Sequence, residues 1–143
     1  MAVTKVSSTV HFVSRRSAVS GRGGSDNGHW VPNTDVYKTE TGIVVKVELP
    51  GMKSDDLEIT VDTAEGNHLR IAGNRPDGCR PPNCSFLVME ISYGPFETDL
   101  ELPQGYDLSQ AKAVYVNGFL RIEVPQARHP HSKTTKVPIA EGK

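Results

Sequence analysis

Residues 113–125 read "AVYVNGFLRIEVP". Asn117 and Gly118 sit between two runs rich in β-branched and aromatic residues. An Asn-Gly pair in that setting is the strongest short signal for a β-hairpin, because both central residues of a type I′ turn need positive φ. After the turn, Leu120, Ile122 and Val124 alternate with Arg121 and Glu123. A period of two marks a strand with one buried face. Pro125 has no N–H to give to a ladder and ends the strand.

The same period recurs upstream. "TDVYKTE" reads as a short strand. In "GIVVKVELP", Ile43, Val45, Val47 and Leu49 share one face, and Lys46 and Glu48 take the other. Pro50-Gly51 stops that strand. "DLEITVD" places Leu57, Ile59 and Val61 together, "HLRIAG" turns Leu69 and Ile71 inward, and "FETDLELP" sets Phe96, Leu100 and Leu102 against Glu97, Asp99 and Glu101. The row of three acids reads as a solvated face. "SFLVMEI" is strand-like but alternates weakly. "DLSQAK" alone has the makings of a helical turn. Between the fourth and fifth runs lies "NRPDGCRPPNC", where three prolines and a glycine exclude regular structure; long loops in compact domains usually carry function.

Seven or eight short strands with almost no helix predict an all-β, immunoglobulin-like antiparallel β-sandwich. The chain has 143 residues, of which 36% are apolar. That supports one core-forming domain of ~90–100 residues with extensions. The sequence divides into an N-terminal arm at 1–29, a sandwich domain at 30–125 and a C-terminal extension at 126–143. Serines and "GRGGSDNG" make the arm read as flexible, yet it holds Val10, Phe12 and Val13. Open sheet edges invite aggregation unless something covers them, so a cover is expected here.

Charge separates the three parts. Lys5, Arg15, Arg16 and Arg22 face only Asp26 in the arm, and Arg128, Lys133, Lys136 and Lys143 face only Glu141 in the extension. Acidic residues outnumber basic ones between them, and the net charge is −1. The basic ends are too sparse, and too poor in aromatics, to read as a nucleic-acid surface. No apolar run reaches the ~18–20 residues of a membrane span. The first residues lack the apolar core of a secretory signal, and a cytoplasmic protein is expected.

Cys79 and Cys84 form C-x4-C, half of a zinc site without a second cysteine pair; His129 and His131 form the only H-x-H. We read the cysteines as reduced loop thiols and expect no metal and no cofactor. No nucleophile elbow, phosphate loop, HExxH or paired-carboxylate motif occurs. His68 reads as a structural strand histidine, and no catalytic residue is assigned.

The extension ends in "TTKVPIAEGK". Val137 and Ile139 flank Pro138, far from any run that would build a core. Proline keeps such a segment extended, which lowers the entropy lost on docking.

Together these pieces resemble a family. "WVPNTDVYKTETGIVVKVELPGMKSDDLEITVD" resembles the first half of an α-crystallin domain, as found in small heat-shock proteins. "SYGPFETDLELP" resembles that family's Ser-x-Gly-x-Phe strand. "VNGFLRIEVP" resembles its Asn-Gly-x-Leu signature, carried by Asn117, Gly118 and Leu120. "KVPIA" resembles its C-terminal Ile/Val-x-Ile/Val motif, carried by Val137 and Ile139. The match runs in order across about residues 30–139, and the short arm points to a prokaryotic type. Two departures stand out. Thr98 occupies the place of a usual arginine, with Asp99 and Glu101 following, and Glu90-Ile91 replaces a usual Glu-Arg, so the family's dimer-contact salt bridge is not carried over.

The resemblance implies an ATP-independent holdase that binds unfolding proteins and prevents their aggregation. It implies a homodimer in which Ser85, Phe86, Leu87, Val88 and Met89 lie as a strand on the partner's edge at Val36 and Tyr37. It implies larger homo-oligomers in which the Val-Pro-Ile tail docks on a neighbouring subunit, between the strands that carry Leu57, Ile59 and Val61 and those that carry Val114 and Val116. The same groove, with Val10, Phe12 and Val13 of the arm, is expected to hold clients. The rival reading is a monomeric sandwich-type co-chaperone or adaptor, which would lack both exchange loop and tail motif.

Overall fold

The period-two runs become strands wherever one face can be buried. In the computed structural model, which describes residues 28–78, 80–128 and 134–142, nine strands follow in chain order. They are β1 (Thr34–Lys38), β2 (Gly42–Glu48), β3 (Leu57–Asp62), β4 (Asn67–Arg75), β5 (Gly94–Leu102), β6 (Lys112–Val116), β7 (Phe119–Pro125), β8 (Thr135–Lys136) and β9 (Ile139–Glu141). Among the described residues there is no α-helix. Short 3-10 turns occur at Ser54–Asp56 and Leu108–Gln110, the second inside the segment expected to make a helical turn.

The strands form two sheets, ordered β1-β2-β7-β6-β9 and β5-β4-β3-β8. All pairings are antiparallel except β6 with β9. Ile43, Val45, Val47, Leu120, Ile122 and Val124 of one sheet meet Leu57, Ile59, Val61, Leu69, Ile71, Phe96, Leu100 and Leu102 of the other in a single buried cluster. Alternation alone predicts every one of these. Val44 is a difference. It lies on the outer face yet is 3% exposed, where its cross-strand neighbours are Tyr37 and Glu123.

The hairpin forms as its sequence dictates. Asn117 has φ 51° and Gly118 φ 82°, and Val116 pairs with Phe119. Gly118 is required twice over. Its φ suits glycine, and a Cβ there would lie 3.2 Å from the Pro50 Cα. Its carbonyl accepts from the Leu49 N–H at 2.8 Å, which ties the hairpin to the end of β2.

The acidic row on β5 is less solvated than expected. Glu97 receives two bonds from Arg70, 2.8 Å from Nε and 3.0 Å from Nη2, and Asp99 lies 3.3 Å from His68. The direct β4–β5 register sets Arg70 opposite Asp99 and His68 opposite Glu101, so both pairs are diagonal contacts across the ladder, within reach of long side chains. The Arg70 guanidinium holds the Glu97 carboxyl below its ordinary pKa, and Glu97 in turn raises that of Arg70.

Candidate functional site

Each sheet has two edges, and an edge strand presents unpaired N–H and C=O groups. Three of the four are occupied to different degrees. Along β5, Trp30 makes a short parallel bridge with Phe96, through Trp30 N–H to the Pro95 carbonyl at 3.3 Å and Glu97 N–H to the Trp30 carbonyl at 3.2 Å. The edges of β3 and β6 face each other across one side of the sandwich, and the C-terminal tail closes both. Among the described residues β1 pairs only with β2.

The tail does this by changing sheets at Pro138. Before the proline it runs antiparallel to β3, with Val61 opposite Thr135 and Thr60 opposite Lys136; Val137 N–H donates to the Ile59 carbonyl at 3.0 Å. After the proline it runs parallel to β6, with Ala113, Val114 and Tyr115 beside Ile139, Ala140 and Glu141. Gly142 N–H then donates to the Tyr115 carbonyl at 3.0 Å. Proline suits the crossing because it has no N–H to leave unpaired there. Val137 is 7% exposed and belongs to the core cluster, against which Ile139 also packs.

Tyr115 forms the polar floor of this seam. Its hydroxyl donates to the Leu49 carbonyl at 2.6 Å and accepts from the Met52 N–H at 3.2 Å. Polar contacts flank the apolar pair on both sides. Lys136 Nζ lies 3.7 Å from Glu58, and Ser54 Oγ donates to Glu141 at 3.0 Å.

Leu57, Ile59 and Val61, expected at the groove, are all buried on the inward face of β3. β6 differs. Val114 and Val116 point to the outer face, and the residues turned inward are Ala113 and Tyr115. Apolarity favours the two valines, but the hairpin overrules it. A two-residue turn sets Val116 opposite Phe119, hence Tyr115 opposite Leu120 and Ala113 opposite Ile122. That register was readable from Asn117-Gly118. The valines still touch the tail, because a Cβ on Gly142 would lie 3.0 Å from both. In this structure of one subunit the tail occupies the seam of its own subunit.

The second region is the loop from residue 76 to residue 93. "SFLVMEI" forms no strand here, and the reason is physical: a strand persists only where a neighbour takes its backbone bonds. Phe86, Leu87, Val88, Met89 and Ile91 are all exposed, Leu87 completely. Ser85 is exposed as well. Arg80 lies over the Phe86 ring and pairs with Asp77. On the β1 edge, Val36 packs against the core, and Tyr37 is exposed with its hydroxyl accepting from Arg121 at 3.0 Å. Thr98 is buried on the inward face of β5, so no cation stands where the resembling family has one. Cys84 is a free, exposed thiol.

Val10, Phe12 and Val13, the glycine-rich hinge, Cys79, His129 and His131 lie outside the described residues. Among the described residues no group of His, Cys, Asp and Glu side chains is placed to hold a metal ion, and no helix is long and apolar enough to cross a membrane.

Comparison with known proteins places this geometry. The Hsp20/alpha crystallin family model matches residues 35–140. A small heat shock protein of Rickettsia felis is 31% identical over 110 residues, 76% of this chain and 68% of the relative. A 22.7 kDa class IV heat shock protein of Pisum sativum is 34% identical over 69% of this chain, which spans only 49% of that relative's length. Among solved structures, hspA from Xanthomonas axonopodis is similar with a TM-score of 0.62 at 27% identity, covering 71% of this chain and 99% of that one. A small heat-shock protein from Xylella fastidiosa gives 0.61 at 27% identity, covering 73% and 94%.

Proposed function

Because the chain belongs to the Hsp20/alpha crystallin family, we propose that it is an ATP-independent holdase that binds unfolding proteins and keeps them from aggregating. The observation that carries this reading is a sandwich that carries two apolar surfaces suited to extended segments. One is the β3–β6 seam, which the tail covers. The other is the exposed run Phe86, Leu87, Val88, Met89, with the β1 edge as a place for a second copy's run to pair.

The subunit assembles through both. Residues 85–89 of one copy add to the β1 edge of another at Val36 and Tyr37, a β-augmentation in which backbone bonds give affinity. The tail bonds seen within one subunit are equally available between subunits. Residues 126–134 span up to ~30 Å when extended, enough to seat Val137 and Ile139 in a neighbour's seam. One tail is weakly held. Burial of a valine or isoleucine yields ~1.5–3 kcal/mol before ordering costs. Many tails in one assembly hold by effective concentration. A released tail exposes Leu57, Ile59, Val61, Ala113 and Tyr115 to an extended client segment, and the arm's Val10, Phe12 and Val13 add apolar contacts. The sandwich at 30–125 is the assembling unit, between client-binding arm and linking extension. Its chemistry is binding rather than catalysis, with no cofactor, and the free Cys84 thiol suits the reducing cytoplasm.

The test is a client that unfolds and aggregates on heating, mixed with the full chain at equal subunit concentration without ATP and followed by light scattering. Suppression at near-stoichiometric ratios is expected; a client that precipitates as fast as it does alone would contradict the proposal.

A further inference from the structure

The exposed run 85–89 stands on a loop whose two feet meet at one side chain. Arg75 ends β4, and its cross-strand partner Gly94 begins β5; the loop lies between. The Arg75 guanidinium does not extend into solvent. Its Nε donates to the Ser92 carbonyl at 2.9 Å, Nη2 donates to the same oxygen, and Nη1 reaches the Pro50 carbonyl at 3.5 Å. Its Cζ lies over the Trp30 ring, 4.3 Å from the ring centre, and over that of Tyr93 at 5.7 Å. Trp30 is itself fixed, 8% exposed, with Nε1 donating to the Gly94 carbonyl at 3.0 Å and its ring 5.1 Å from Phe96. One guanidinium therefore binds the outgoing foot of the loop, its returning foot at Ser92 and Tyr93, the turn after β2, and the residue that leads into the sandwich from the arm.

We propose that Arg75 is the positioning residue of the exchange loop, holding its feet at one angle so that Phe86–Met89 of one copy meet the β1 edge of a second copy ready to pair. The inference rests on the strand-exchange reading above. A loop free to swing about its feet loses conformational freedom on pairing, and a loop tied at both feet has already lost much of it. Arginine is suited to the task and lysine is not, because only a planar fork can put two N–H groups on one carbonyl while stacking on aromatic faces. The cost is visible in the guanidinium itself, whose burial lowers its pKa from the ordinary arginine value.

The experiment mixes two fluorescently labelled populations of the full chain and follows subunit exchange by energy transfer, alongside the melting temperature and the emission of Trp30, the chain's one tryptophan. Arg75→Ala should exchange about tenfold faster, with Trp30 emission shifted to the red. Arg75→Lys should exchange a few-fold faster, and it carries the test alone if the alanine variant fails to fold. Arg70→Ala, an arginine of the same strand that binds Glu97 instead, should exchange as the wild type does. Wild-type exchange in the Arg75 variants, with or without a lower melting temperature, would overturn the proposal and leave Arg75 merely structural. Leu87→Asp separates the two levels. If it abolishes pairing while the Arg75 variants exchange normally, strand exchange stands and the positioning role falls. If it too leaves pairing intact, both fall.

Discussion

The tail and the exchange loop are both short apolar stretches beside an unpaired strand edge, and they end up in opposite states. The tail finds two edges of its own subunit and satisfies its backbone there, with Val137 taken into the core. The loop finds none, and Leu87 stays completely exposed. Composition does not explain the difference, since the loop is the more apolar of the two. Reach and direction do. A crossing proline lets one strand serve β3 and β6 together, whereas the feet of the loop are held at Arg75 and Gly94 and residues 85–89 pair with no strand of their own subunit. The contrast says which surface a single subunit can satisfy and which needs a second copy.

The largest expected effect comes from breaking the loop side. Leu87→Asp puts a charge where pairing would bury a side chain, and should weaken dimer formation by about a hundredfold or more. The melting temperature should hardly move, because Leu87 touches no core. Analytical ultracentrifugation on dilution reads the first quantity and calorimetry the second. Breaking the tail side should do the reverse. Val137→Gly with Ile139→Gly removes ~1.5–3 kcal/mol of burial at Val137 alone, lowers the melting temperature, and reduces the mass of the assembly to that of its dimer in native mass spectrometry. An unchanged mass would refute tail docking between subunits.

Those two predictions separate what the sequence made legible from what it did not. Every apolar inward residue of β2, β3, β4, β5 and β7 was readable, because polar residues occupy most of the alternate positions and leave one choice of face. β6 was less legible because Ala113 and Tyr115 on one face compete with Val114 and Val116 on the other, and apolarity is a poor guide when both faces are apolar. The hairpin register decides there. Ser54, Glu58 and Glu141 were missed for another reason: their contacts join residues far apart in sequence, and no local pattern marks such a pair. The Arg75 clamp was hidden in the same way, since its partners come from three separate segments.

A finer probe of the seam is Lys136→Glu, which places an acid beside Glu58. Both groups are well exposed, so the tail should loosen only about two- to fivefold at low ionic strength. The difference should vanish in high salt; binding of an isolated tail peptide to a tail-deleted chain would show it. The smallest effect concerns the sheet behind the seam. Glu97 has a depressed pKa in the folded state because it accepts from Arg70. Its contribution is therefore present above the ordinary glutamate range and lost as the pH falls through the depressed folded value. The melting temperature should decline on acidification below about pH 4.3, with a shallower slope in Glu97→Gln, while the loop side keeps its behaviour.

Amide hydrogen exchange as a function of protein concentration sets the two regions against each other in one experiment. At concentrations low enough to leave single subunits, the Val137 and Gly142 amides, bonded to the Ile59 and Tyr115 carbonyls, should already be protected, and those of Phe86, Leu87 and Val88 should exchange freely. Raising the concentration should protect the loop amides in step with dimer formation. Loop amides protected at every dilution, or tail amides as open as those of the loop, would contradict the division between an interface the subunit closes by itself and one that waits for a second copy.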